Sequence, residues 1–172
     1  MAKKALVVSG IIDNIRRVFK VVNEQSKKAE RETGITGPQL WAIKVIGDSS
    51  PVRVSDLASR MHLHPATVVG ILDRLESRGL VKRIRSKDDR RVVKVQLTDD
   101  GKNIVTNAPQ VAQGLLVAGL EVLPIKRLHE ISSSLEELVH ILGAQELPAQ
   151  LMLSTEVNLP KRKKPAQGES QC

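Results

Sequence analysis

Residues 54–102 read "VSDLASRMHLHPATVVGILDRLESRGLVKRIRSKDDRRVVKVQLTDDGK", and this stretch decides the fold. It begins with a short helical segment in which Leu57, Ala58 and Met61 fall on one side, the spacing of a buried face. Ser55 stands where that helix needs an N-cap. Pro65 then suits the first position of a second helix, where its missing N–H has no helical partner to lose. Val68, Ile71, Leu72 and Leu75 form the inner stripe of that helix, and Gly79 closes it. Two short helices joined by a tight turn predict a helix-turn-helix. Next comes "RIRSKDDRRVVKVQLT", residues 83–98, which is two β-prone runs around a charged turn. A basic β-ribbon directly after a helix-turn-helix is what a winged helix requires.

The second helix of such a unit lies in the DNA major groove, with its N-terminal residues nearest the bases. Those residues here are His64, Pro65, Ala66 and Thr67, with Val69 and Gly70 one turn on. A valine facing water and a mid-helix glycine both cost helix stability. They make sense on a face that meets a groove, where glycine allows close approach and valine can touch a thymine methyl. Arg74, a turn further, is placed for a phosphate. Ser55 and the hairpin residues Lys87, Arg90 and Arg91 complete the expected DNA-binding set. Between Arg53 and Lys94 the chain has eleven Lys and Arg against five Asp and Glu, which concentrates its basic excess where a docking surface needs it. Asp89 has two readings. It can hold a neighbouring guanidinium by paired hydrogen bonds and so position the wing, or it can serve only as a favoured turn residue.

The same stretch resembles the winged helix-turn-helix of the MarR family of bacterial transcriptional regulators. Asp89-Arg90-Arg91 followed by Leu97-Thr98 and Gly101 matches that family's wing signature, and "LDRLESRGLV" matches the end of its recognition helix. The resemblance is specific over the middle of the chain and extends to the order of the flanking helices. It implies a mainly α (α+β) fold, and a homodimer joined through N- and C-terminal helices. It also implies that two wings and two recognition helices bind one pseudo-palindromic DNA operator; the expected role is a repressor, with the sign of regulation left open by the sequence. By the motif, Arg91 is the partner of Asp89, and Arg90 or Arg91 is the minor-groove probe. Some members of the family release DNA when a small-molecule effector binds between the dimer region and the DNA-binding lobe. Trp41 is the one candidate for lining such a pocket, although a lone Trp in an aliphatic protein is more often core. Other members sense oxidants through a cysteine near the N-terminal helices. This chain's single cysteine is Cys172, which argues against a direct thiol switch.

Outside the decisive stretch, Val8, Ile11, Ile12, Ile15, Val18, Phe19 and Val22 repeat at helical spacing, and Gly34 is the stop. Thr36 with Gln39 has capping-box spacing, and Ile35 with Leu40 can staple the start of a helix from about 37 to Gly47. Thr98 caps a fifth helix, with Asp99 and Asp100 in its first turn where the dipole favours acid. That helix carries Ile104, Ala108, Val111, Leu115 and Ala118 at four-three spacing, and Pro109 should kink it. Pro124 should open a sixth, with Leu128, Ile131, Leu135, Leu138 and Leu142 as its stripe. The expected organisation is one domain over 1–147. Its winged helix-turn-helix spans about 37–98, its dimerisation helices about 5–33 and 99–143, and residues 148–172 form a flexible basic tail.

Composition bounds the alternatives. The 172 residues carry 27 Lys and Arg against 19 Asp and Glu, a net charge of +8. Such a balance favours a polyanionic partner, nucleic acid before an anionic membrane, and is also compatible with a mere aid to solubility. Aromatics are 1%, so the core must be aliphatic. One cysteine excludes a disulfide within the chain and fits a cytoplasmic setting. No apolar run approaches a membrane span, and the start does not read as a signal peptide. His62 and His64 are two apart, which is wrong for a shared metal on a helix. No glycine-rich phosphate loop is present, so neither an enzyme, a metal site nor a cofactor is expected. Two competing classes stay open: a nonspecific architectural nucleic-acid-binding protein, and a protein–protein adaptor on a winged helix.

Overall fold

A computed structural model describes residues 2–85 and 92–147. The order of elements is α1 (Ala2–Thr33), α2 (Gly37–Ser49), β1 (Val52–Arg53), α3 (Val54–Arg60), α4 (Pro65–Ser77), β2 (Val81–Arg85), β3 (Val93–Leu97), α5 (Asp99–Asn107), α6 (Ala112–Glu121) and α7 (Ile125–Ile141). The three strands form one antiparallel sheet in the order β1-β3-β2.

The N-terminal helix stops where predicted. Gly34 takes a φ of +70°, which only glycine adopts freely, and its N–H donates to the Glu30 carbonyl at 2.9 Å. The turn then enters α2 through the glutamine half of the expected capping box. Gln39 Oε1 accepts from the Thr36 backbone N–H at 3.1 Å, which accounts for a glutamine that is almost fully buried. The helix α2 is the central element, apolar on most sides, with Leu40, Trp41, Ala42, Ile43 and Ile46 all buried. It packs against α1, α3, α4, α5, α6 and β3.

Helices α3 and α4 meet over Leu57, Ala58, Met61, Val68, Ile71, Leu72 and Leu75, all inside the core cluster. Burying each large aliphatic side chain there contributes about 1.5–3 kcal/mol. The turn between the two helices is held by Leu63 N–H donating to the Ala58 carbonyl at 3.0 Å, with His62 at a φ of +47°. Helix α3 begins one residue before Ser55, with Arg53 in the capping position. Ser55 therefore does not cap it.

The sheet contains a strand that periodicity did not reveal. Val52 and Arg53, which fall between the predicted helices, pair with Val95 and Lys94 of β3. A two-residue strand is too short for alternation to show. In the hairpin, Val81 faces Leu97 and Arg83 faces Val95. Thr98 fastens this sheet to α5: its Oγ1 accepts from Gly101 N–H at 3.1 Å and donates to the Gly79 carbonyl at 2.6 Å. Gly101 is a glycine of necessity, because a Cβ there would stand 2.1 Å from the Leu80 carbonyl oxygen.

Pro109 does more than kink a helix. The fifth helix ends at Asn107 and a separate helix starts at Ala112, because proline lacks the donor and excludes α conformation at the residue before it. Ala108 is extended, and the Lys44 ammonium donates to its carbonyl at 3.1 Å. Helix α5 packs on α2 and β3. Pro124 is the N-cap of the last helix, one position earlier than expected. That helix, α7, has no buried residue.

Candidate nucleic-acid interface

The α4 N-terminus is built by its cap. His64 is extended, and its ring Nδ1 accepts from the Ala66 N–H at 3.3 Å, which satisfies one orphan donor of the first turn. This gives His64 a structural task beside the DNA-facing one expected of it. Pro65 follows as the first helical residue. The inner stripe of Val68, Ile71, Leu72 and Leu75 then fixes the rotation of the helix. Its outward face carries the exposed Pro65, Ala66 and Val69 and the half-buried Thr67 and Gly70. A Cβ added at Gly70 would meet nothing within 4 Å. Among the described residues no close approach explains this glycine. Arg74 is half-buried on the same helix.

The hairpin lies beside this helix. Arg53, Val54, Ser55, Val69, Asp73, Arg83, Val92 and Val93 line a groove of about 610 Å³ between the start of α3, the flank of α4 and the hairpin root. Ser55 and Val69 are thus brought together with the root of the hairpin. Lys87, Asp89, Arg90 and Arg91 lie outside the described residues, and with them the expected Asp89–Arg91 pairing. Trp41 is only 6% exposed; it belongs to the core, and a Cβ on Gly114 would come within 3.3 Å of its ring.

Charge is less evenly available than a count suggests. Arg78 donates to the Gly34 carbonyl at 2.5 Å and so closes the end of α1. Arg60 donates to the Ser49 hydroxyl. Arg83 is bound by two carboxylates of α4, Asp73 and Glu76. Arg53, Lys82 and Arg85 are exposed. The inward turn of Arg83 was not expected, although strand alternation pairs it with the face of the buried Val81.

Two helices packed at a tight turn, the second presenting an exposed N-terminal face beside a β-hairpin, define a winged helix-turn-helix. A model of the MarR family matches residues 35–93, from the entry to α2 into β3. The HTH-type transcriptional regulator MgrA of Staphylococcus aureus is 34% identical over 107 residues, covering 60% of this chain and 73% of that protein. The chain belongs to the MarR family. The HTH-type transcriptional repressor MdtR of Bacillus subtilis (strain 168) is 30% identical over 95 residues. That match covers 55% of this chain and 61% of MdtR, less than two thirds of its length. Among solved structures, the transcriptional regulator BldR from Sulfolobus solfataricus shares the fold. Its TM-score is 0.51 at 24% identity, over 83% of this chain and 97% of that one. Among the described residues no helix is long and apolar enough to cross a membrane, and no cluster of three potential metal ligands occurs.

Proposed function

We propose that this protein is a sequence-specific DNA-binding transcriptional regulator, a homodimer that represses by occupying a pseudo-palindromic operator. The observation that carries the reading is the open outward face of α4. Thr67, Val69 and Gly70 offer a shaped, nearly uncharged surface at the N-terminal end of a helix flanked by a hairpin. A protein that only coats nucleic acid has no use for such a face, because phosphate contacts carry no sequence information. Two-fold repetition of α4 and the wing would read two half-sites. The names of MgrA and MdtR as transcriptional regulator and repressor support the reading.

Dimerisation is supported by the ends of the chain. Leu135 and Ile141 of α7 and Leu142 at its C-cap are 56%, 70% and 79% exposed. Val18, Val21, Leu115 and Leu116 line an apolar groove of about 320 Å³ between α1 and α6. These surfaces are apolar stripes in search of cover, and a second copy supplies the matching ones. The domain assignment follows: a DNA-binding lobe over about 37–98 and dimerisation arms from the N- and C-terminal helices.

Fluorescence anisotropy tests the function. A duplex from the gene's own upstream region should bind at least about a thousandfold more tightly than random duplex, as specific regulators do. Equal, strongly salt-dependent binding to both would identify a nonspecific coat instead. Binding to neither would remove DNA from the account.

A further inference from the structure

Arg83 stands on the inner face of β2, opposite Val95 and in line with Val81. Its guanidinium donates from Nη1 to Glu76 Oε2 at 2.6 Å and from Nη2 to Asp73 Oδ1 at 2.7 Å. The Arg83 backbone N–H donates to Glu76 Oε1 at 3.1 Å, so both oxygens of one carboxylate rest on this residue. A longer bond of 3.4 Å runs from Nη2 to the Val69 carbonyl. The arginine side chain is only 26% exposed.

Asp73 and Glu76 are three residues apart on the helix that meets DNA in the function proposed above. Carboxylates so near phosphates are repulsive, and a helix shaped only by DNA contact would not keep two. They are explained by Arg83, which takes both and whose forked donors suit two acceptors held in fixed geometry. We infer that Arg83, Asp73 and Glu76 form a strut that sets the angle of the wing on the recognition helix, with Arg83 a positioning residue and not a DNA contact. Beside these bonds lies the apolar packing of Val81, Val95 and Leu97 in the core cluster, which is non-directional. The strut adds direction to it. This inference rests on the DNA-binding reading, and its test separates the two.

The full-length chain would first select a duplex from a randomised library of roughly 30 base pairs, long enough for two half-sites a helical turn apart. The selected duplex then serves as the probe beside random duplex. Asp73→Asn with Glu76→Gln removes two negative charges near the DNA and leaves the side-chain shapes alone. Electrostatics alone would tighten all binding. The strut predicts the reverse for the selected duplex, a loss of about five- to tenfold from a wing that must be ordered on binding, with random duplex bound equally or more tightly. In Arg83→Gln the slope of log affinity against log salt should stay at the wild-type value, whereas loss of a phosphate contact lowers it by about 0.9. Exchanging the charges, Arg83→Glu with Glu76→Arg, should recover affinity for the selected duplex relative to Arg83→Glu alone. Tighter binding of the selected duplex by the carboxamide variant, or a lowered slope in Arg83→Gln, would overturn the strut. Hydrogen exchange without DNA supplies the independent arm. Amides of β2 and β3 should exchange about tenfold faster in the carboxamide variant while those of α4 stay protected. Unchanged hairpin exchange would reject the strut even if DNA binding holds. If no duplex were selected, faster hairpin exchange would uphold the strut while the DNA reading fell.

Discussion

The centre of the molecule and its two ends use the same amphipathic code with opposite outcomes. In α3 and α4 every stripe residue finds cover: Leu57, Val68, Ile71, Leu72 and Leu75 are all 0% exposed. In the first half of α1, Val8, Ile11 and Ile12 are 50%, 45% and 42% exposed, and α7 buries nothing. The ends are not less hydrophobic in pattern. They are too long and too one-sided for the centre to cover, because a helix of 32 residues runs well past a core built by short ones. What the difference teaches is a division of labour. The centre is closed within one chain, and the ends carry the apolar surface that the proposed dimer would bury.

The comparison breaks first if its closed half is not closed. Leu72→Ala should destabilise the protein by about 2–5 kcal/mol, the usual result of emptying a packed site, read from urea unfolding at fixed protein concentration. A change under about 1 kcal/mol would mean the centre is loosely packed. The open half is tested by Leu135→Glu. If α7 is covered by a second copy, a charge there should weaken association by about 2 kcal/mol or more. Sedimentation should then shift from dimer toward monomer at micromolar concentration. An unaltered dimer would show that this stripe faces water for another reason, and a monomeric wild type would remove the comparison altogether.

Two smaller effects sharpen the closed half. Thr98→Ala deletes both the α5 cap and the bond to Gly79, and should cost about 1 kcal/mol, seen as a lower midpoint of thermal unfolding. Gly70→Ala should stabilise by up to about 1 kcal/mol, since alanine is the better helix former and nothing stands within 4 Å of the new methyl. The same change should weaken binding of a preferred duplex, because the methyl enters space the groove needs. A variant both more stable and equally tight would show that the α4 face is not in close contact with DNA. Gly101→Ala offers the contrast: its methyl would stand on the Leu80 carbonyl, so it should destabilise where Gly70→Ala stabilises.

Much of this architecture is legible in the sequence by itself. The helix-turn-helix, the helix opened by Pro65, the stops at Gly34 and Gly79 and the cap at Thr98 all follow from local chemistry. Spacing, a missing donor, a positive φ and a side-chain acceptor are properties of a few adjacent residues, and the sequence states them directly. The outward position of Val69 and Gly70 is legible for the same reason, because the inner stripe leaves them no other side. Two other features belong to the tertiary structure alone. Val52 and Arg53 are a strand only because β3 offers them partners. Arg83 reads as one more cation on a basic hairpin, yet it is held by Asp73 and Glu76, ten and seven residues back in the chain. Charge can be counted along a sequence, but its availability to a ligand depends on which groups the fold has already brought within hydrogen-bond distance. The sequence could therefore say where the protein is basic, and only the tertiary packing decided which of those charges are engaged: Arg83 by α4, Arg78 by the end of α1 and Arg60 by Ser49.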